Sequence, residues 1–197
     1  YVHANEKERN DLPGIETINE ADIILLSVRR RVLPLAKMKL LRDFAAGGKP
    51  IVGIRTSSHA FVLRKPEGGK KLADWSEFDR DIIGGNYTGH HGNGPRVALS
   101  SLAGAGKHPI LKGVDLSKLK GCGSLYMTTP LAKSSTELLR GTIKGKAPEA
   151  IAWTNKTSSG GRVFYTSLGH IDDFAQPGMN TLLRNALCWA AGLDVPE

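Results

Sequence analysis

The sequence predicts an α/β domain built around a mostly parallel β-sheet, and three observations support this prediction. Two short apolar runs, at residues 21–28 and 51–54, have the composition of strands that are buried on both faces. Residues 35–46, between them, have an apolar face with helical periodicity. Strand, helix and strand of these lengths form a βαβ unit with a right-handed crossover. We therefore expect one domain over residues 1–197, of which residues 1–17 are irregular.

The N-terminal half contains clear signals for where its elements begin and end. Pro34 fits the first turn of the helix at residues 35–46, and Gly47 follows its last turn. After the strand at 51–54, a hydroxyl residue at 56–58 caps a second helix that is predicted to start near His59. A doubly wound domain normally opens with a βαβ pair. The N-terminal strand or strands are therefore expected upstream of Tyr1.

The C-terminal half reads as a series of strands that ends in a helix. Glycine-rich residues 84–94 predict a long loop. Strands are predicted at residues 97–102, 125–127 and 137–143. Two further strand-like runs, at 150–154 and 162–168, flank a Ser-Ser-Gly-Gly turn and so predict a hairpin. The last helix spans about 178–191 and has one apolar face.

Composition and charge exclude several classes of protein. The net charge is +8, but the basic residues are scattered, and the one dense run, residues 29–31, has no interleaved aromatic platform. We therefore expect no nucleic-acid partner. No apolar run approaches about 18 residues, so we expect no membrane span. Cys122 and Cys188 form neither a disulfide framework nor a metal-binding spacing. Cofactor, compartment and oligomeric state stay open, and a homo-oligomer is compatible with the sequence.

Polar clusters follow two of the predicted strands. One cluster holds Arg55, Ser57, Ser58 and His59, and the other holds His170 with the two carboxylates Asp172 and Asp173. If both strands are parallel members of one sheet, both clusters lie on its carboxyl edge, where α/β proteins bind ligands. His170 beside a carboxylate is the best candidate for a general acid or base. The alternative, equally well supported, is an ordinary histidine that closes a strand and caps the next turn.

The remaining candidates leave several chemistries open. Arg55 is suited to holding a carboxylate, a phosphate or a developing oxyanion, or equally to a structural ion pair with Asp172 or Asp173. A serine hydrolase is disfavoured because Gly-x-Ser-x-Gly is absent. A metal site from His59, His90 and Asp172 fits the ligand types, but no spacing demands it. Tyr87 and Tyr126 offer stacking surface for a sugar, although such rings more often belong to a core.

The sequence resembles a known superfamily at three places. Residues 49–55 (Lys-Pro-Ile-Val-Gly-Ile-Arg) are similar to the segment that carries the nucleophile elbow in class I glutamine amidotransferase-like proteins. Residues 164–170 (Phe-Tyr-Thr-Ser-Leu-Gly-His), followed by residues 185–192, resemble the ending of the ThuA-like (trehalose utilisation) branch. His108-Pro109-Ile110 resembles a turn of the same branch. The likeness covers most of the chain from about Ala21 to Gly192.

The resemblance implies a flavodoxin-like three-layer α/β/α sandwich, with His170 and Asp172 where amidotransferases keep their catalytic histidine and acid. Arg55 stands at the position of the nucleophilic cysteine, so no glutamyl thioester forms and we expect no glutaminase activity. ThuA-like proteins are linked to sugar use, which implies a carbohydrate ligand, such as a keto-sugar or a glycoside. His170, Asp172 and Arg55 are then the catalytic candidates, and Ser57, Ser58, His59, Tyr87 and His90 are the substrate-binding ones. The rivals are a non-catalytic binding or scaffold domain and a metal-dependent hydrolase.

Overall fold

A seven-stranded mixed sheet lies at the centre of this α/β protein. The structure, a computed structural model, describes residues 1–64 and 71–196. Its strands are β1 (Ile24–Leu26), β2 (Leu33–Pro34), β3 (Ile51–Ile54), β4 (Leu72–Ala73), β5 (Gly89–His90), β6 (Val97–Ser101), β7 (Lys120–Gly121), β8 (Tyr126–Met127), β9 (Thr136–Thr142), β10 (Glu149–Lys156) and β11 (Arg162–Thr166). The order across the large sheet is β1-β3-β11-β10-β9-β6-β7, while β2 pairs with β4 and β5 pairs with β8.

The sheet changes from parallel to antiparallel at β11. β3 pairs in parallel with both β1 and β11. The β11–β10, β10–β9, β9–β6 and β6–β7 pairings are all antiparallel. The expectation of a mostly parallel sheet is therefore wrong. One physical reason is that β9, β10 and β11 follow one another through two short connections, residues 143–148 and 157–161, which return the chain directly and so allow only antiparallel pairs.

The helices are few, and two of them match the sequence prediction closely. These are α1 (Leu35–Ala46), which ends at Gly47, and α2 (Pro177–Ala190). The other helical segments are 3₁₀-helices at Ile15–Glu20, Arg55–His59, Ala105–Lys107, Pro109–Leu111 and Ile171–Asp173, and a π-helix at Asp79–Ile83. None of the helices among residues 1–64 and 71–196 is both long and apolar enough to cross a membrane.

The prediction of a helix that starts near His59 is wrong. The chain after β3 forms instead the short 3₁₀-helix Arg55–His59. The Ser57 hydroxyl donates to the Ile54 carbonyl oxygen (2.8 Å), and the Ala60 N–H donates to the Ser57 carbonyl oxygen. These bonds tighten the turn and use the serine inside the turn, so that it does not cap a following helix.

An apolar core lies on each face of the large sheet. Ile51 belongs to the core that packs against α1, whereas the next residue, Val52, belongs to the core that packs against α2. The same alternation separates Tyr165 from Phe164 on β11. Fully burying side chains of this kind stabilises the fold by about 1.5–3 kcal/mol each. Because β3 and β11 are packed on both faces, their carboxyl ends are firmly positioned.

Candidate functional site

The carboxyl ends of β3 and β11 lie side by side at one edge of the sheet. Ile54 is in register with Thr166, so Arg55 and Ser167 leave the sheet as neighbours. A guanidinium nitrogen of Arg55, Nη1, donates to the Ser167 carbonyl oxygen at 3.1 Å. Gly169 approaches so closely that an added Cβ would lie 3.2 Å from the Arg55 Cβ. The two clusters therefore meet at one edge, as the sequence predicts.

Arg55 occupies a sharp turn between β3 and the following 3₁₀-helix. Its φ is +50°, a left-handed conformation that is uncommon for residues other than glycine. The Tyr165 hydroxyl donates to the Arg55 carbonyl oxygen at 2.6 Å and holds this turn in place. The pKa of the Tyr165 phenol is raised well above its usual value because the residue is fully buried. The hydroxyl therefore stays protonated and available as a donor.

The Arg55 guanidinium is held by the segment that precedes β8. Its Cζ lies 4.8 Å from the centre of the Tyr126 ring, a cation–π contact. An added Cβ at Gly123 would lie only 2.3–2.6 Å from the guanidinium atoms, so the group lies against bare backbone there. Nη1 also contacts the Ser124 carbonyl oxygen at 3.4 Å, and Nη2 contacts the Ser124 hydroxyl at 3.5 Å.

Aromatic side chains cluster beside this guanidinium. The His59 and Tyr87 rings stack with centroids 4.2 Å apart, and Tyr87 meets Tyr126 edge to face at 4.9 Å. His59 and His90 lie 5.8 Å and 6.1 Å from the Tyr126 ring. Tyr126 is buried, Tyr87 is half-buried and His90 is exposed. Tyr87 and His90 are therefore the members of this ring cluster that a ligand can reach.

His59 is a neutral histidine inside the protein. Its Nδ1 shares a hydrogen bond with the Ser58 hydroxyl at 3.1 Å, and only 5% of the residue is exposed. Burial is the main reason why the pKa of His59 falls to about 3, and the positive charges of Arg30 and Arg29 lower it further. Ser57 and Ser58 are also buried. These three side chains therefore lie beneath the protein surface at this edge of the sheet.

The carboxylate of the half-buried Asp79 is hydrogen bonded to the backbone of the aromatic cluster. Asp79 Oδ2 accepts a 2.6 Å hydrogen bond from the Tyr87 backbone N–H. Its other oxygen, Oδ1, is buried and has no hydrogen-bond partner among the described residues. Burial raises the pKa of Asp79 to about 6, although the Tyr87 N–H opposes this rise. The backbone of Tyr87 is thus anchored to a group that titrates close to neutral pH.

His170 begins the 3₁₀-helix Ile171–Asp173 and caps it. Its Nδ1 accepts the Asp172 backbone N–H at 3.3 Å, whereas the Asp172 carboxylate is 3.6 Å from Nδ1, too far for a hydrogen bond. Asp173 is the acid that fixes this loop. Its buried carboxylate accepts the backbone N–H groups of Gly169 (2.7 Å), His170 (2.9 Å) and Cys122 (2.8 Å).

The structure brings most of the predicted site residues to one edge but gives them different degrees of access. Arg55 and His170 lie at the ends of adjacent strands, and Tyr87 and His90 belong to the ring cluster beside Arg55. Ser57, Ser58 and His59 are buried, and the Asp172 carboxylate does not hydrogen bond to the His170 ring.

Sequence reasoning missed Gly123 and Ser124, and it chose Asp172 rather than Asp173 as the acid that serves the His170 loop. A signal for Asp173 was present, because an acid three residues after a helix N-cap forms a capping box, as Asp173 does with His170. Gly123 and Ser124 carry no such signal, because nothing in the sequence brings them next to Arg55.

No metal centre is formed by the part of the chain that the structure describes. Residues 1–64 and 71–196 contain no group of three or more histidine, cysteine, aspartate and glutamate side chains that is arranged to hold a metal ion. His59, His90 and Asp172 therefore do not form the ligand set that the metal hypothesis requires. His90 Nδ1 instead lies 2.9 Å from the His91 carbonyl oxygen.

Solved structures of similar fold include two proteins assigned as ThuA-like. The one from Bacteroides uniformis ATCC 8492 is 20% identical with a TM-score of 0.64, over 89% of this chain and 71% of that chain. The one from Parabacteroides merdae ATCC 43184 is 18% identical with a TM-score of 0.64, over 91% and 74%. A protein from Thermoplasma acidophilum, assigned as one component of a GMP synthase, is 14% identical with a TM-score of 0.57, over 91% and 78%. These likenesses show the fold.

The sequence itself matches a family model over nearly its whole length. The match covers residues 2–190, and the family is described as trehalose utilisation. No curated protein sequence matches the chain. The matched segment includes both polar clusters at the edge of the sheet, and the chain therefore belongs to the ThuA (trehalose utilisation) family.

Proposed function

We propose that this protein acts in carbohydrate metabolism on a small keto-sugar or glycoside, which binds at the carboxyl edge of β3 and β11, and that it has no glutaminase activity. The proposal includes a flavodoxin-like α/β/α sandwich as the framework. The observation that carries it is the convergence of Arg55, the His170 loop and the Tyr87 ring cluster at one edge. Aromatic faces bind the apolar faces of sugar rings, and a guanidinium binds oxygen atoms that carry negative charge.

The hydrogen bond to His170 limits how this residue can move a proton. Because Nδ1 accepts the Asp172 backbone N–H, the neutral ring carries its proton on Nε2. Nε2 is then a donor in the neutral ring as well as in the imidazolium. We assign His170 to moving a proton on a sugar carbon or a glycosidic oxygen. Either transfer through Nε2 needs a proton on Nδ1, so Nδ1 must first release the Asp172 backbone N–H. Arg55 would stabilise the negative charge that develops on the keto oxygen of a keto-sugar when a proton leaves the adjacent carbon.

The test is turnover of keto-glycosides by His170→Ala. We expect turnover to fall by at least about 100-fold, the usual contribution of a general acid, while the unfolding temperature stays within a few degrees. His3→Ala is the matched control, because His3 is an exposed histidine remote in sequence from both clusters. Turnover by His170→Ala equal to that of the unaltered protein would remove His170 from the mechanism.

The second candidate is a non-catalytic sugar-binding domain, and one observation favours it. The His170 Nδ1 is used in a structural cap, and no described carboxylate hydrogen bonds to the ring, so the oriented acid–histidine pair of many enzymes is not formed. In that case a sugar would raise the unfolding temperature of the protein while no glycoside is consumed. A thermal-shift series run beside a product assay distinguishes the two candidates.

A further inference from the structure

We infer that the ligand of this site carries a carboxylate, as a uronic or aldonic acid does, and that Arg55 binds the carboxylate side-on through Nε and Nη2. This inference rests on the proposed carbohydrate function and narrows its substrate class to acidic sugars.

The Arg55 guanidinium presents one unused edge. Its five N–H groups lie in a plane, and three protein oxygens contact the two terminal nitrogens. Ser124 contacts Nη1 through its carbonyl oxygen and Nη2 through its hydroxyl, and so lies at the end of the guanidinium that these two nitrogens form. The Ser167 carbonyl oxygen accepts a second hydrogen bond from Nη1. Nε has no hydrogen bond to any described residue. The Nε–H and the Nη2–H beside it therefore remain for a ligand, and this pair matches the two oxygens of a carboxylate.

The guanidinium is fixed before any ligand arrives. The Ser167 carbonyl, the Tyr126 ring and the bare backbone of Gly123 hold it in one orientation. Little side-chain entropy is therefore lost when a ligand binds. A lysine at this position would supply the charge but not the planar pair of donors.

The surrounding charge favours an anion. Among the residues that the structure describes, no carboxylate forms an ion pair with Arg55. Arg29, Arg30 and Arg64 lie near enough to contribute to the low pKa of His59, which belongs to the same ring cluster. An anionic ligand would thus meet further positive charge beside a guanidinium that pairs with no described carboxylate. The half-buried Tyr87 ring contacts Tyr126, as the guanidinium does, and so offers a surface for a sugar attached to the carboxylate.

The experiment compares ligands that differ only at one group. D-glucuronate, D-glucose and D-glucuronamide share a ring, but only the first carries a carboxylate. We expect isothermal titration calorimetry to give a dissociation constant for D-glucuronate at least about tenfold lower than for either neutral sugar, as charge-assisted hydrogen bonds of this strength imply. Arg55→Lys should abolish this preference. Arg42→Lys, an exposed change on α1, should leave it intact.

Each other outcome overturns the inference. Equal binding of glucuronate and the neutral sugars would refute the carboxylate assignment while the carbohydrate function stands. Binding of none of the three sugars would also overturn the inference, whereas the proposed function on keto-sugars or glycosides is decided separately by the turnover of His170→Ala. Inorganic phosphate that competes as strongly as glucuronate would show a general anion site rather than a carboxylate site. An undiminished preference in Arg55→Lys would place the carboxylate elsewhere.

Discussion

The buried carboxyl group of Asp79 should make the stability of the protein depend on pH. Its pKa is about 6 in the folded protein, against 3.8 for an ordinary aspartate. The folded state therefore holds this proton more tightly than the unfolded state does, and the free energy of unfolding falls as the pH rises through this interval. Each pKa unit corresponds to about 1.36 kcal/mol, so the loss between roughly pH 4.5 and pH 8 is about 2 kcal/mol.

Asp79→Asn removes this titration but keeps an acceptor for the Tyr87 N–H. Urea unfolding of both proteins, near pH 4.5 and near pH 8, gives the difference in unfolding free energy between variant and parent at each pH. We expect that difference to move by about 2 kcal/mol in favour of the variant at the higher pH. Asp81→Asn, an exposed change on the same π-helix, is the control and should show a much smaller movement. If Asp79→Asn gave the same difference at both pH values, the assignment of the perturbed pKa would be refuted.

Two further predictions concern the edge of the sheet itself. Asp173→Asn places an amide against backbone N–H donors, so we expect a loss of about 2–4 kcal/mol of unfolding free energy, whereas the exposed Asp172→Asn should change it by less than about 0.5 kcal/mol. Equal losses in urea unfolding would contradict the role given to Asp173. The His59 ring, with a pKa of about 3, should show constant proton NMR shifts from about pH 5 to pH 8, and a titration in that range would show that it is not buried as described.

The sequence predicted those parts of the fold that local patterns determine. The helix α1 has its bounds marked by Pro34 and Gly47, and β3 is a short apolar run between a turn and a charged residue. The hairpin of β10 and β11 follows from its turn residues. The mixed character of the sheet could not be predicted in the same way, because pairing between distant strands leaves little trace in the composition of either strand.

The candidate site, too, was only partly predictable from the sequence. Arg55 and His170 were found because each follows a strand, and the edge of a sheet collects such residues. Access to the individual side chains was not predictable, because the burial of Ser57, Ser58 and His59 depends on how the turn after β3 folds back against β11. The choice between Asp172 and Asp173 required the direction of each side chain in the 3₁₀-helix, which sequence order alone does not give.

The Asp173 carboxylate links two stretches of chain that are far apart in sequence. It accepts a hydrogen bond from the Cys122 N–H, and the next two residues, Gly123 and Ser124, contact the Arg55 guanidinium. It also accepts hydrogen bonds from the N–H groups of Gly169 and His170, in the loop that carries the imidazole. It therefore connects the segment that contacts Arg55 to the loop that carries His170. A mutation that displaces one of them should also displace the other, so the roles proposed for Arg55 and His170 would be impaired together.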